Sequence, residues 1–265
     1  MISKKSFKGW VSELYRFRHM FFSLVVKNLF GKYKNSALGF LWNFITPAIS
    51  VLLFYIVFES FMGRDIPYYW AYLSLGMFPF AFMNTNLIGG ASNITSNGGM
   101  IKKMYFPREI LPLSQVAYTL IVFLIAYSIV AILMLITGFP LSSKGLPALP
   151  LIILTMFAFS FGTILLTSAI SVYSRDFEYL ITALARILFW VTPIFYTTDS
   201  LTGILSTIVW LNPLTYYVEG LRDIIYVGIM PETEILILCT IISAIVLFVG
   251  TYVFEKLKDG FAERI

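Results

Sequence analysis

Six runs of roughly twenty apolar residues follow one another along this chain, at about 37–62, 69–90, 111–137, 147–173, 178–197 and 233–254. A bilayer core takes about 20 residues of helix to cross, and a backbone in lipid must close its hydrogen bonds within itself. The expected fold is therefore an all-α polytopic membrane protein with six transmembrane helices, one transmembrane domain over 1–265. Charge agrees: 12% of residues are Asp, Glu, Lys or Arg and 58% are hydrophobic, whereas a soluble domain is about a quarter charged. Disorder is excluded by 25 Phe, 16 Tyr and 5 Trp. The single cysteine, Cys239, excludes a disulfide framework, and the single histidine, His19, excludes a histidine-rich metal site.

The N-terminal segment is no signal peptide. Lys4, Lys5, Lys8, Arg16, Arg18, Lys27, Lys32 and Lys34 interleave with apolar residues, and only Glu13 opposes them. Leu14, Phe17, Phe21, Leu24 and Val25 recur at spacings of three and four, which predicts an amphipathic helix over about 10–34 in a membrane surface. The plainer alternative is a basic flank that only sets topology. With six spans, fifteen of the 19 Lys and Arg fall on one face: the N-terminal segment, Lys102, Lys103, Arg108, Arg175, Lys256, Lys258 and Arg264. Loops rich in such residues stay inside, so both termini are expected in the cytoplasm. On that side the sequon Asn93-Ile94-Thr95 stays bare.

Between the last two spans, 198–232 holds an apolar stretch from Leu201 to Leu211, the breaker Asn212-Pro213, and a second stretch through Ile229. Each piece is too short to cross, and the pair reads as an outer re-entrant helical hairpin, or, more plainly, as an external surface helix. Glu219, Arg222 and Asp223 stand at i, i+3 and i+4 and can pair. A charge facing lipid costs about 2.5–3.5 kcal/mol, so these are expected to face protein or a water-filled vestibule.

The chain carries no G-x-x-x-x-G-K-[ST], no H-E-x-x-H and no G-x-S-x-G. No catalytic, cofactor-binding or metal residue is expected. Glu59, near the outer end of the first span, and Arg186 in the fifth are the only charged candidates within the membrane away from the first two residues of a span, which gives no row of carboxylates for proton- or sodium-driven transport. Uphill transport would then draw its energy from another subunit. The loop 98–113 is basic, aromatic and framed by Pro107 and Pro112. It suits a short projecting helix, with Tyr105 and Phe106 anchoring a partner and Lys102, Lys103 and Arg108 around them.

At this point the sequence resembles type-2 ABC exporter permeases. The resemblance lies in Lys32-Tyr33-Lys34-Asn35-Ser36-Ala37-Leu38-Gly39-Phe40-Leu41-Trp42, in Tyr105-Phe106-Pro107-Arg108-Glu109-Ile110-Leu111-Pro112, in Tyr173-Ser174-Arg175-Asp176-Phe177 and in Trp210-Leu211-Asn212-Pro213-Leu214. These motifs cover nearly the whole chain in order. The branch they look like exports lipid-linked polysaccharides: O-antigens, teichoic acids and capsular glycans. The resemblance implies a half-transporter in the cytoplasmic (inner) membrane of a prokaryote, paired with itself as a homodimer, with no nucleic-acid partner. Two copies of a separate ABC ATPase subunit would bind the ATP and Mg. They would dock on Lys102, Lys103, Tyr105, Phe106, Arg108, Glu109, Arg175 and Asp176, and the hairpin residues Tyr216, Tyr217, Glu219, Arg222 and Asp223 would form an outer gate.

Sugar rings have apolar CH faces that aromatic side chains can contact weakly and repeatedly. Trp42, Tyr55 and Phe58 of the first span and Phe189, Trp190 and Tyr196 of the fifth are therefore candidate conduit residues, against the plainer reading of a lipid-facing aromatic belt. Lys27, Lys32, Lys34 and Arg186 are candidates for the carrier lipid's diphosphate head. A drug or small-lipid exporter of the same family is the nearest rival. A membrane-embedded transferase would need a cluster of Asp, Glu or His at one membrane face, and the chain offers only scattered carboxylates such as Asp176 with Glu178.

Overall fold

The computed structural model describes residues 12–13, 15–31, 36–62 and 66–265, side chains at 58–62 excepted. Lys32 and Lys34, and the side chains of Phe58 and Glu59, lie outside the described set. Among the described residues the chain is helical, without strands. The helices are α1 (Arg18–Gly31), α2 (Trp42–Met62), α3 (Tyr69–Asn93), α4 (Gly98–Lys103), α5 (Ile110–Ile136), α6 (Leu149–Tyr173), α7 (Asp176–Val191), α8 (Ile204–Leu211), α9 (Pro213–Arg222), α10 (Thr233–Leu257) and α11 (Phe261–Arg264).

Among the described residues four stretches are long and apolar enough to cross a membrane: Gly39–Val57, Ile110–Ile136, Leu146–Tyr173 and Thr233–Arg264. The other two expected spans fall short for different reasons. In α3 the cause is composition, because α3 sits at the middle of the bundle against α2, α5, α6, α7 and α9. Sixteen of its 25 residues are buried, among them Ser74, Asn86 and Asn93. A helix wrapped by protein can carry polar groups provided neighbours satisfy them. Asn86 and Thr119 of α5 do so by exchanging hydrogen bonds of 2.9 and 3.1 Å. In α7 the cause is length: the expected span 178–197 ends as a helix at Val191. Pro193 has no N–H to continue the ladder, and a residue before proline disfavours the helical region. Thr192 accordingly turns extended, at ψ 133°.

The periphery is built the other way round. In α10 the buried residues are Ile235, Cys239, Ser243, Gly250 and Phe254, a single seam facing the bundle. Ile237, Ile241, Ile245, Phe248 and Tyr252 point outward. The seam packs mainly on α6, and glycines set its closeness. A Cβ built on Gly162 would come within 2.5 Å of the Leu247 backbone, and one built on Gly250 would overlap the Gly162 carbonyl. Buried Cys239 takes a place in this seam as a small apolar residue.

The surface helix corrects one expectation. α1 is apolar on two sides rather than one. Leu24, Val25 and Leu29 are buried, and the helix packs on α5, while Phe22, Val26 and Phe30 are exposed. It rests on protein as well as facing outward.

Candidate functional site

Where α7 stops, four consecutive carbonyls lose their helical partners, and side chains from two other helices take them up. Arg222 of α9 donates from NH1 to the Pro193 carbonyl at 2.5 Å and from NH2 to that of Ile194 at 2.8 Å. Tyr69 and Tyr72 of α3 donate their hydroxyls to the carbonyls of Phe195 and Tyr196, at 2.7 and 2.9 Å. Asn212 joins the same junction. Its Nδ2 donates to Thr192 Oγ1 at 2.8 Å, while its Oδ1 caps α9 by accepting from the Leu214 N–H at 3.0 Å. Proline at the start of α9 suits the cap, since its missing N–H costs nothing there. An unwound backbone inside an apolar bundle is tolerated only when protein groups satisfy it, and this clamp does so residue by residue.

Arg222 is the strut of the clamp. It is 1% exposed, lies 3.6 Å over the Tyr72 ring, and pairs with Glu219 at 2.8 Å. Its NH1 also donates to the Tyr72 hydroxyl at 2.9 Å. The planar guanidinium supplies five N–H groups in fixed directions. Gly76 of α3 makes the room, for a Cβ there would stand 2.5 Å from NH2. The expected pairing of Glu219 with Arg222 is present, and the charge faces protein.

The hairpin residues therefore divide. Tyr217 is fully buried and donates to the Cys239 carbonyl at 3.2 Å. It sits in the core, its helix packed on α10. Tyr216 is half-buried and ties α9 to α8 by donating to the Trp210 carbonyl at 2.6 Å. Asp223 begins a π-helical turn, Asp223–Val227, and is half-buried. Burial, with the Glu219 and Glu232 carboxylates near it, pushes its carboxyl up from 3.8 to about 6. The folded chain thus holds this proton more tightly than the unfolded chain. Its contribution is fully favourable below about pH 4 and is lost as pH rises to about 6. Asp223→Asn is expected to raise the apparent melting temperature at pH 7.5 and to leave it unchanged at pH 4. Equal shifts at both pH values would remove the titration from the explanation.

At the opposite end lie the loop residues expected to meet a partner. Tyr105 is 79% exposed, with its hydroxyl donating to Glu13 Oε1 at 3.3 Å. Lys103, Arg175 and Asp176 are also exposed. Phe106 corrects the reading: it is buried, so Tyr105 is the aromatic of the pair that a partner can reach. Arg108 is half-buried and stacks 5.7 Å over Phe261. Lys102 donates to the Ile265 carbonyl. Phe261, in α11, is wholly buried and also packs on Tyr173 and Phe254. The segment after α10 thus folds back as a brace beneath α4. Nothing in the periodicity of the sequence marked it, since one Phe among 25 carries no spacing signal.

Glu109 is a second brace. Its carboxylate pairs with Lys258 at 2.8 Å while 4% exposed. Burial alone would raise its carboxyl, but a hydrogen bond with Glu255 and the Lys258 ammonium outweigh it and hold the group below the usual carboxylate range. Lys258→Met leaves that carboxylate buried without its cation. The expected cost is about 2 kcal/mol, below the 3–5 kcal/mol of a fully buried pair because Lys258 is partly exposed. Tryptophan fluorescence during heating of the detergent-solubilised chain reads this as a lower melting temperature, which Glu109→Gln in the same background restores.

The conduit candidates are scattered in environment. Trp190 is 72% exposed and Tyr55 about half. Phe189 packs on Phe80 and Phe195. Tyr196 is half-buried, with its hydroxyl donating to the Val191 carbonyl at 3.0 Å, and Trp42 is half-buried, donating to Ser36 Oγ at 2.9 Å. Of the head-group candidates, Lys27 lines a polar cavity in which exposed Arg186 takes no part. Sequence reasoning passed over Tyr69, Tyr72, Thr192 and Asn212. The available signal was the pair of breakers Thr192-Pro193 and Asn212-Pro213, which announced free carbonyls without saying which side chains would meet them.

Among known proteins, the ABC-2 type transporter family profile matches residues 19–226. The O-antigen export system permease protein RfbA of Myxococcus xanthus is 28% identical over 257 residues, 96% of this chain and 98% of its own. A protein of the same name from Klebsiella pneumoniae is 31% identical over 252 residues, 94% of this chain and 97% of its own. With a family match across most of its length and relatives that align end to end, the chain belongs to the ABC-2 type transporter family of membrane permeases.

Proposed function

We propose that two copies of this chain form the membrane part of an ATP-driven exporter that carries a lipid-linked polysaccharide of the O-antigen class across the inner membrane of a prokaryote. Two copies of a separate ATPase subunit hold the ATP and Mg and dock on the face around Tyr105. The observation that carries this reading is the end-to-end similarity to permeases named for O-antigen export. The helix pattern supports six spans, α2, α3, α5, α6, α7 and α10, with both termini inside. The helix α7 is about 24 Å long at 1.5 Å per residue, and residues 192–196, held by the clamp, carry it the remaining distance. Helices α8 and α9, meeting at Asn212-Pro213, form the re-entrant hairpin on the outer side. Outward-facing apolar residues on α2 (Leu52, Tyr55, Ile56) and α7 (Leu184, Ile187, Trp190) support a path between copies.

Deleting the gene is expected to strip the polysaccharide from the cell surface and to accumulate its lipid-linked form in the cytoplasm, with restoration by the intact gene. An unchanged surface glycan would overturn the substrate assignment. Single cysteines at Ser142 and Asp199 are expected to react with an impermeant maleimide from outside, and those at Lys103 and Arg175 only after permeabilisation. The docking assignment predicts that Lys103→Ala with Tyr105→Ala lowers transport-coupled ATP hydrolysis at least tenfold at unchanged permease abundance. Normal coupling in that variant would place the ATPase elsewhere.

A further inference from the structure

After α10 a short 3-10 turn, Lys258–Gly260, leads into α11. Residues 258–265 thereby lie against both loops that carry the candidate docking residues. Against the first loop, 98–109, Lys258 pairs with Glu109 at 2.8 Å and Phe261 lies under the Arg108 guanidinium. Lys102 donates to the Ile265 carbonyl, and the Ile265 side chain fills the space beside Gly98, where a Cβ would overlap it. The second loop is reached through Tyr173, which directly precedes Ser174 and Arg175. Its hydroxyl donates to the Leu257 carbonyl at 2.9 Å. Its ring meets Phe261, and Arg264 stacks 4.5 Å over it.

The division of side chains is informative. Phe261 is wholly buried although α11 has only four residues, and a helix so short is not stable alone. Tertiary contact is therefore what holds it, and its partners Arg108, Tyr173 and Phe254 come from three distant parts of the chain. Lys103, Tyr105, Arg175 and Asp176 meanwhile stay exposed. The segment thus occupies the inner side of each loop and leaves the outer side for a partner. Loops with few buried contacts open locally at little cost, so a force applied to one would bend it. Coupling between distant parts travels through packed, rigid elements.

We infer that residues 258–265 are a coupling strut, which joins the two loops into one body so that the ATPase moves both together. Phe261 and Arg264 are positioning residues in it, and the strut stays closed while the transporter works. This rests on the export reading above and adds to it the element that carries the stroke from the docking face into the bundle.

The test uses the full chain with the ATPase that co-purifies with it, in vesicles that hold radiolabelled lipid-linked glycan extracted from the producing cells. A Cβ on Gly98 would stand 3.5 Å from Ile265 Cβ, and a disulfide spans about 3.5–4.5 Å between such atoms. Native Cys239 is buried in the α6–α10 seam. Gly98→Cys with Ile265→Cys is expected to cross-link on oxidation and to deliver the same glycan per ATP, within about twofold, oxidised or reduced. Phe261→Ala is expected to retain the ATPase at the wild-type ratio and to keep hydrolysing, while glycan per ATP falls about fivefold. Oxidising the cysteine pair in that background is expected to recover most of the loss, and reduction to undo the recovery. Tyr173→Phe with Arg264→Gln, both at exposed residues, is expected to lower glycan per ATP about threefold at an unchanged melting temperature. A brace that served stability alone would not give that result. A loss above about fivefold on oxidising the pair in the otherwise wild-type chain would show that the segment opens during the stroke, and would overturn the strut. Wild-type glycan per ATP in both substituted chains would overturn it too, with the export reading left standing. If the wild-type chain retained no ATPase, the export reading would fall and the strut with it.

Discussion

Arg222→Met is expected to abolish the folded permease. The substitution removes at once the donors to Pro193, Ile194 and Tyr72, and leaves Glu219 without its partner. Breaking a buried pair costs about 3–5 kcal/mol, and each orphaned carbonyl in an apolar interior adds about 1–3 kcal/mol. Neighbours cannot compensate by sliding, because the Tyr69 and Tyr72 hydroxyls are already committed to the next two carbonyls. Methionine fills much of the volume, so a cavity is not the cause. The expected readout is loss of the monodisperse peak of solubilised protein, by tenfold or more. Arg222→Lys keeps the charge but replaces a planar fork by one compact ammonium, and an intermediate loss is expected. If Arg222→Met ran as an intact peak with wild-type thermal stability, the carbonyls of 193–196 would need other partners and the clamp would be wrong.

The second large effect belongs to the seam between α6 and α10. Gly250→Leu is expected to cost about 3 kcal/mol or more, because the added side chain meets backbone, which cannot turn aside, at the Gly162 carbonyl. Small residues let membrane helices approach until dispersion and weak polar contacts hold them. Opening the seam also pulls on the segment after α10, so Phe261 and the contacts beneath α4 loosen with it. Gly99→Leu is the control, since nothing lies within 4 Å of its Cβ position. The checks are a lower melting temperature and faster protease cleavage near residue 260 in Gly250→Leu. Wild-type behaviour in both would mean that α6 and α10 do not touch at these glycines.

These two features were legible in the sequence to different degrees. Apolar runs announced the helices, and a charge every third or fourth residue announced the Glu219–Arg222 pair, because both are local. Asn212-Pro213 showed where a helix breaks for the same reason, whereas the break at Thr192-Pro193 was passed over, the expected span running on to 197. What meets the broken ends is not local: Tyr72 and Arg222 stand 150 positions apart, and no spacing rule links them. Burial misled the reading where composition was ambiguous. Phe106 and Tyr105 are neighbours with similar rings, yet one is buried and the other exposed, and only packing against the rest of the chain decides between them. The same holds for Tyr216 and Tyr217. The polar cavity beside α1 was invisible because its lining comes from three helices that are far apart in sequence.

The central claim is that this chain moves a lipid-linked glycan only when a separate ATPase drives it. Reconstitution into vesicles with the labelled glycolipid in the inner leaflet, and the ATPase facing the lumen with trapped ATP, measures this directly. Enzymatic modification of glycan reaching the outside is the signal. The account predicts ATP-dependent appearance with both subunits present and background levels when the ATPase is omitted or its hydrolysis is blocked. Equal appearance from the permease alone, or none from the complete assembly while it hydrolyses ATP, would contradict it.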